Sequence, residues 1–136
     1  MAKPSSSQNH RGYGFQTPRE VLEFCEARGI QMVDMKFIDL PGTWQHFSIP
    51  IGQLKESVFA DGLGFDGSSI RGFQPIQESD MMLVPDVTSG FVDPIPMIST
   101  ISFICDVRDP VTGLPYSRDP RYVARKAEAY IKGSGI

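Results

Sequence analysis

The sequence predicts a small α+β domain, a mixed sheet with one helix packed on its face. Three observations predict it: a capped amphipathic stretch near the start, two alternating runs around a Pro-Gly turn, and two later strand-like runs separated by a proline-containing stretch. At 136 residues the chain can bury one ordinary core, with a piece of a second domain attached. No internal repeat is found.

Met1 to Gly14 is rich in Ser, Gln, Asn and Gly and has no apolar stretch, so residues 1–15 read as a disordered tail and a secretory leader is not expected. Thr17-Pro18-Arg19-Glu20 then starts a helix. Thr17 can cap, Pro18 suits the first helical position, and Glu20 completes a capping box. Val21, Leu22, Phe24 and Cys25 supply its apolar face, and Gly29 is placed to end it. Between Gln31 and Ile38, Val33, Met35 and Phe37 alternate with Asp34 and Lys36. The pattern turns at Asp39-Leu40-Pro41-Gly42 and resumes from Thr43 to Ile49, which reads as a β-hairpin with Trp44, His46 and Ser48 on its other face. Ile51 to Phe59 reads as a brief helix or irregular cover.

Next comes a segment read as a glycine-rich loop, with Gly62, Gly64, Gly67 and Gly72 around Phe65-Asp66-Gly67-Ser68-Ser69-Ile70. A carboxylate at the tip of such a loop suits reaching outward. Asp beside Gly is equally an ordinary turn device, and Ser68 and Ser69 can be plain loop hydroxyls. The spacing fits neither a Walker loop nor a dinucleotide fingerprint, and a carboxylate is the wrong charge for a phosphate. Glu78-Ser79-Asp80 leads into the apolar strand Met81-Met82-Leu83-Val84, closed by Pro85. Asp86 to Ser99 suits loop and edge, and Thr100 to Val107 reads as another strand. After the turn Asp109-Pro110-Val111-Thr112-Gly113, Asp119-Pro120 starts a second helix running through Val123, Ala127 and Tyr130 to Gly133. Its apolar face, with Ile131, has little to pack against, so residues 110–136 read as the start of a truncated second domain.

Composition narrows the function classes. Hydrophobic residues make up 40%, charged residues 21%, and the net charge is −3, which suits a globular chain with no nucleic-acid footprint. No run approaches the length of a membrane helix. Cys25 and Cys105, each among apolar neighbours, read as buried reduced thiols in a cytoplasmic protein. His10 and His46 lack a second ligand at useful spacing, so no metal site is expected. Asp86, Asp93, Asp106 and Asp109 read as strand-end and turn acids, and no nucleophile–base pair is evident.

Several separated pieces in a fixed order give the chain a family resemblance from Phe15 to Ile136. They are the capped helix and hairpin, Phe65-Asp66-Gly67-Ser68-Ser69-Ile70, Glu78-Ser79-Asp80-Met81, Pro85-Asp86, Phe103-Ile104-Cys105-Asp106 and Asp119-Pro120-Arg121. Together they resemble the N-terminal part of type I glutamine synthetase. The resemblance implies a β-grasp domain over residues 16–109, then the start of a larger catalytic domain. It implies an ATP-dependent ligase that phosphorylates glutamate and lets ammonia displace the phosphate, with ATP and a divalent metal (Mg or Mn) held elsewhere in the full protein. It implies a ring-shaped homo-oligomer in which this region gives its loop to the catalytic domain of a neighbouring subunit. Asp66 would then hold ammonium and take its proton, with Ser69 and Asp80 close by and Phe73 near the nucleotide. Two other readings stand beside it: a stand-alone non-catalytic β-grasp module that binds a synthetase, and a related ligase joining glutamate to a larger amine.

Overall fold

The computed structural model of the chain describes residues 13–73 and 80–135. Helix α1 (Pro18–Arg28) forms where its caps predict. Thr17 accepts from the Glu20 amide, the Glu20 carboxylate accepts from the Gln16 amide, and Gly29 closes the helix at φ 64°. Strands β1 (Met32–Ile38) and β2 (Trp44–Pro50) make the expected antiparallel hairpin, pairing Met35 with Phe47 and Ile38 with Trp44. Strands β3 (Leu63–Asp66), β4 (Asp80–Pro85), β5 (Phe91–Asp93) and β6 (Thr100–Arg108) complete a curled mixed sheet of order β2-β1-β6-β4-β3, with β5 also on β6.

The nine residues of β6 hold this sheet together. Its first half runs parallel to β1, pairing Ile101 with Val33 and Phe103 with Met35, while Cys105 to Arg108 pair antiparallel with β4. Val33, Met35, Leu83, Ile101, Phe103 and Val107 are fully buried, and Val21 and Cys25 of α1 join them. Such a continuous apolar layer is the main favourable term in the fold. Asp86 to Ser99 is loop and edge as read, with a 3-10 turn at Val87–Ser89 before β5. The second helix, α3 (Pro120–Gly133), also begins at its predicted cap, Asp119.

Two expectations are corrected. Residues 62–66 were read as part of a glycine-rich loop, yet Leu63 to Asp66 are a strand. Leu63 and Phe65 alternate with Gly64 and Asp66, and Phe65 turns inward with its ring 5.0 Å from Phe37, so alternation outweighs the glycines. The Ile51–Phe59 stretch, read as a brief helix or irregular cover, is a 3-10 turn, Ile51–Gln53, followed by the short helix α2 (Glu56–Asp61), which buries Val58. Tyr13 and Phe15 were placed in the tail. Phe15 is instead in the core and Tyr13 bonds to Gly90, because both rings stack around Phe24. The expectations for residues 1–12 and for Glu78-Ser79 lie outside the described residues.

Candidate functional site

Among the described residues β3 is an edge strand, and its last residue, Asp66, is exposed. Directly across the ladder stands Asp80, the first residue of β4 and also exposed. Cross-strand partners project to the same face with Cβ atoms roughly 5 Å apart. Two acids that the sequence places fourteen positions apart thus become neighbours. The chain turns sharply after Asp66 into a 3-10 turn, Gly67–Ser69, which Asp66 itself caps. Its Oδ1 accepts from the Ser68 amide at 2.9 Å and from the Ser68 hydroxyl at 2.7 Å, which fixes the carboxylate's orientation. Ser69, exposed, donates its hydroxyl to the Asp66 carbonyl at 2.9 Å.

The far end of this segment is tied down. Leu40 N donates to the Arg71 carbonyl and Arg118 Nη1 to the Gly72 carbonyl, both at 3.3 Å. Gly72 has φ 80°, and a Cβ there would sit 2.4 Å from Leu40 Cβ, so only glycine fits. Phe73 is buried, its ring 5.1 Å from Tyr116 and 6.3 Å from Phe37. The turn that carries Leu40 is itself rigid. Asp39, 1% exposed, accepts from the Thr43 amide at 2.7 Å and Gln45 Nε2 at 3.0 Å. Burial pushes its carboxyl up, but those bonds, the Gly42 amide and the Arg71 charge outweigh it and hold it below the usual range.

Other polar clusters sit elsewhere. A groove of about 520 Å³ is lined by residues of β1, β2, β5 and β6 with Ile95 and Pro96, and by none of Asp66, Ser69, Phe73 or Asp80. Its polar groups satisfy one another: Lys36 Nζ lies 3.1 Å from Asp93 and 3.7 Å from Asp34, and His46 Nδ1 lies 2.8 Å from Asp34. Among the described residues, no three His, Cys, Asp or Glu side chains come together to hold a metal ion. No helix among them is long and apolar enough to cross a membrane. Cys25 and Cys105 are buried free thiols; burial pushes Cys25 up to about 11 and Cys105 higher still.

Sequence reasoning missed a second charged constellation. Asp86 and Asp106, read as strand-end acids, face Arg121 and Arg125 of α3. Arg121 Nη2 bonds Asp86 Oδ2 and its Nε lies 3.0 Å from Asp106 Oδ1; Arg125 reaches Asp86 at 3.0 Å and Asp106 at 3.1 Å. The available signal was the four-residue spacing of the two arginines, which puts both on one helix face. Asp119 was read only as a cap. It is 1% exposed and also accepts from Val107 N of β6 at 3.1 Å, and burial raises its pKa.

Residues 29–110 match the family model described as the glutamine synthetase β-grasp domain. Over 120 residues the chain is 51% identical to a glutamine synthetase of Aquifex aeolicus, covering 88% of this chain and 26% of the relative. It is 49% identical over 121 residues to one of Azorhizobium caulinodans, covering 89% and 26%. A solved Plasmodium falciparum glutamine synthetase shares the fold with a TM-score of 0.82 at 20% identity, over 93% of this chain and 24% of that one. The chain thus spans about a quarter of the length of the relatives it matches.

Proposed function

This chain belongs to the glutamine synthetase family, and on that premise we propose that it is the N-terminal part of an enzyme that makes glutamine from glutamate and ammonia with ATP, via a γ-glutamyl phosphate. Asp66 is the catalytic carboxylate. It holds ammonium, with Ser69 and Asp80 beside it, and accepts the proton that ammonium must lose before nitrogen can attack. The observation that carries this reading is the cross-strand pairing of Asp66 with Asp80 at the exposed end of an edge ladder. Two carboxylates projecting to one exposed face suit a small cation, and Ser68 fixes the orientation of one of them.

The partner of this edge is the catalytic domain of a neighbouring subunit in a ring-shaped homo-oligomer. Residues 16–109 are the β-grasp domain, and residues 110–136 open the catalytic domain of the same protein. The exposed Val123, Tyr130 and Ile131 on α3 support that division, since such a row is a packing surface. Phe73 has its ring in the core, so in this reading it serves the site by holding the Asp66 segment rather than by touching nucleotide. In this reading ATP and a divalent metal are held by the rest of the full-length protein. The two separate thiols support a cytoplasmic setting.

The test is Asp66→Asn in the full-length protein that carries this sequence. An opposite charge at contact distance is worth about 4 kcal/mol at an intermediate dielectric, before desolvation is subtracted. Ammonia-dependent glutamine formation is expected to fall on the order of a hundredfold. Turnover within about twofold of the unsubstituted protein would remove Asp66 from this role.

A further inference from the structure

Asp66 ends β3, where the ladder to β4 holds its backbone, and opens a short segment that is fastened again at its far end. At the near end it caps its own turn through Ser68. At the far end, Arg71, Gly72 and Phe73 are gripped from two distant parts of the chain. The 39–43 turn supplies Leu40 N, and the stretch between β6 and α3 supplies Tyr116 and Arg118. Arg118 lies 46 positions from Gly72 in sequence, yet its guanidinium donates to the Gly72 carbonyl. Two residues earlier, Tyr116 is 7% exposed, packs its ring edge-on against Phe73, and donates its amide to the Val107 carbonyl of β6. One residue later comes Asp119, the buried cap of α3.

We propose that Arg118 is a positioning residue for Asp66. It acts through the Gly72 carbonyl and ties the acid's placement to the junction where α3 leaves the sheet. The segment from Gly67 to Phe73 contains no α-helix or strand of its own, so its shape is set by these few anchors. The Leu40 contact references the segment to the β1–β2 hairpin, and Phe73 references it to the core. The Arg118 bond, with the Tyr116 ring on Phe73, references it to the start of α3, the element that Arg121 and Arg125 clamp to Asp86 and Asp106. A shift of that helix start is therefore transmitted to Gly72 and along the turn to Asp66. Small displacements matter at such a group, because a misplacement of about 1 Å can cost on the order of a hundredfold in rate.

This inference rests on Asp66 having the role proposed above, and its test separates the two. Arg118→Gln and Arg118→Lys are made in the full-length protein that carries this sequence. Arg118 is exposed, so neither change opens the core. Arg118→Gln is expected to raise the KM for ammonium on the order of tenfold while the KM for glutamate stays within about twofold. Arg118→Lys, which can still donate to one carbonyl, recovers most of that loss. Amide exchange in Ser68 to Phe73 is expected to quicken in Arg118→Gln, with exchange in β1 and β6 unchanged. An unchanged ammonium KM together with unchanged exchange in Ser68 to Phe73 overturns the inference. Uniform loosening of the whole sheet also overturns it, because Arg118 would then be a general stabiliser. If Asp66→Asn has no effect, the functional reading fails on its own, and the exchange of Ser68 to Phe73 still decides whether Arg118 holds the segment.

Discussion

Helices α1 and α3 start in the same way and are fastened in opposite ways. Each has an oxygen-bearing cap followed by proline, Thr17-Pro18 and Asp119-Pro120. α1 then seals itself to the sheet by burial, with Val21 at 0% and Cys25 at 2% exposure and a stack of aromatic rings at Phe24. α3, the more amphipathic of the two, buries no residue, and is held by Arg121 and Arg125 on Asp106 of β6 and on Asp86, just after β4. Local chemistry thus decides that a helix forms, whereas its attachment depends on what the sheet presents beneath it. Burial is largely indifferent to salt and pH near neutrality. A charged clasp is sensitive to both.

The most forceful way to break the comparison is to remove what both helices depend on. Phe103 is fully buried at the centre of β6, with the Phe59 ring edge-on at 5.4 Å. Phe103→Ala should cost about 3–5 kcal/mol, since the packed sheet can only partly close the cavity. Urea unfolding followed by circular dichroism should show both helices lost in one transition. A loss below about 1 kcal/mol would mean that this layer is not the common foundation of the two helices.

A smaller change sharpens the contrast at α3 alone. Asp119 offers one oxygen to Arg121 N at 3.0 Å and the other to Val107 N at 3.1 Å, so it caps the helix and bonds β6 at once. Asparagine is among the best caps, yet its amide has a single acceptor and cannot serve two amides pointing at opposite sides of the group. Asp119→Asn is therefore expected to cost about 1–3 kcal/mol, the usual penalty for a buried donor left without a partner. Stability equal to that of the unsubstituted chain would show that one of the two bonds contributes nothing. Amide exchange at Val107 and Arg121 identifies which.

Much of this was legible in the chain because it was written in local patterns. The caps of both helices, the hairpin around Pro41-Gly42 and the strand at 100–107 all follow from spacing and residue type over a few positions. β3 was missed because two glycines masked the Leu63–Phe65 alternation, and a four-residue strand offers little else to read. The Asp66–Asp80 neighbourhood was legible only as two acidic segments, since register is fixed by pairing across the sheet. The arginine clasp stayed hidden for a related reason. Asp86 and Asp106 lie far from Arg121 in sequence and become its partners only once β4 and β6 are paired.

The gentlest way to sharpen the contrast is to titrate. Burial pushes the Asp86 carboxyl up, but the Thr88 hydroxyl and amide and the two guanidiniums outweigh it and hold it below its ordinary value. A carboxyl depressed in the folded state contributes stability that is present above its unfolded pKa of about 4 and is lost as pH falls through its folded value. Asp119 works the other way, because burial raises it. Its contribution is present below the unfolded pKa and is lost as pH rises through the folded value. The two act in opposite directions, and the acid response of α3 follows Asp86, which loses two guanidinium partners on protonation, whereas Asp119 when protonated keeps an acceptor for the cap. Below about pH 4, the protection of the α3 amides relative to their intrinsic exchange is expected to fall while β1 and β6 stay protected, and added salt should do the same at neutral pH. Equal acid and salt sensitivity in α1 would show that the two helices are fastened alike after all.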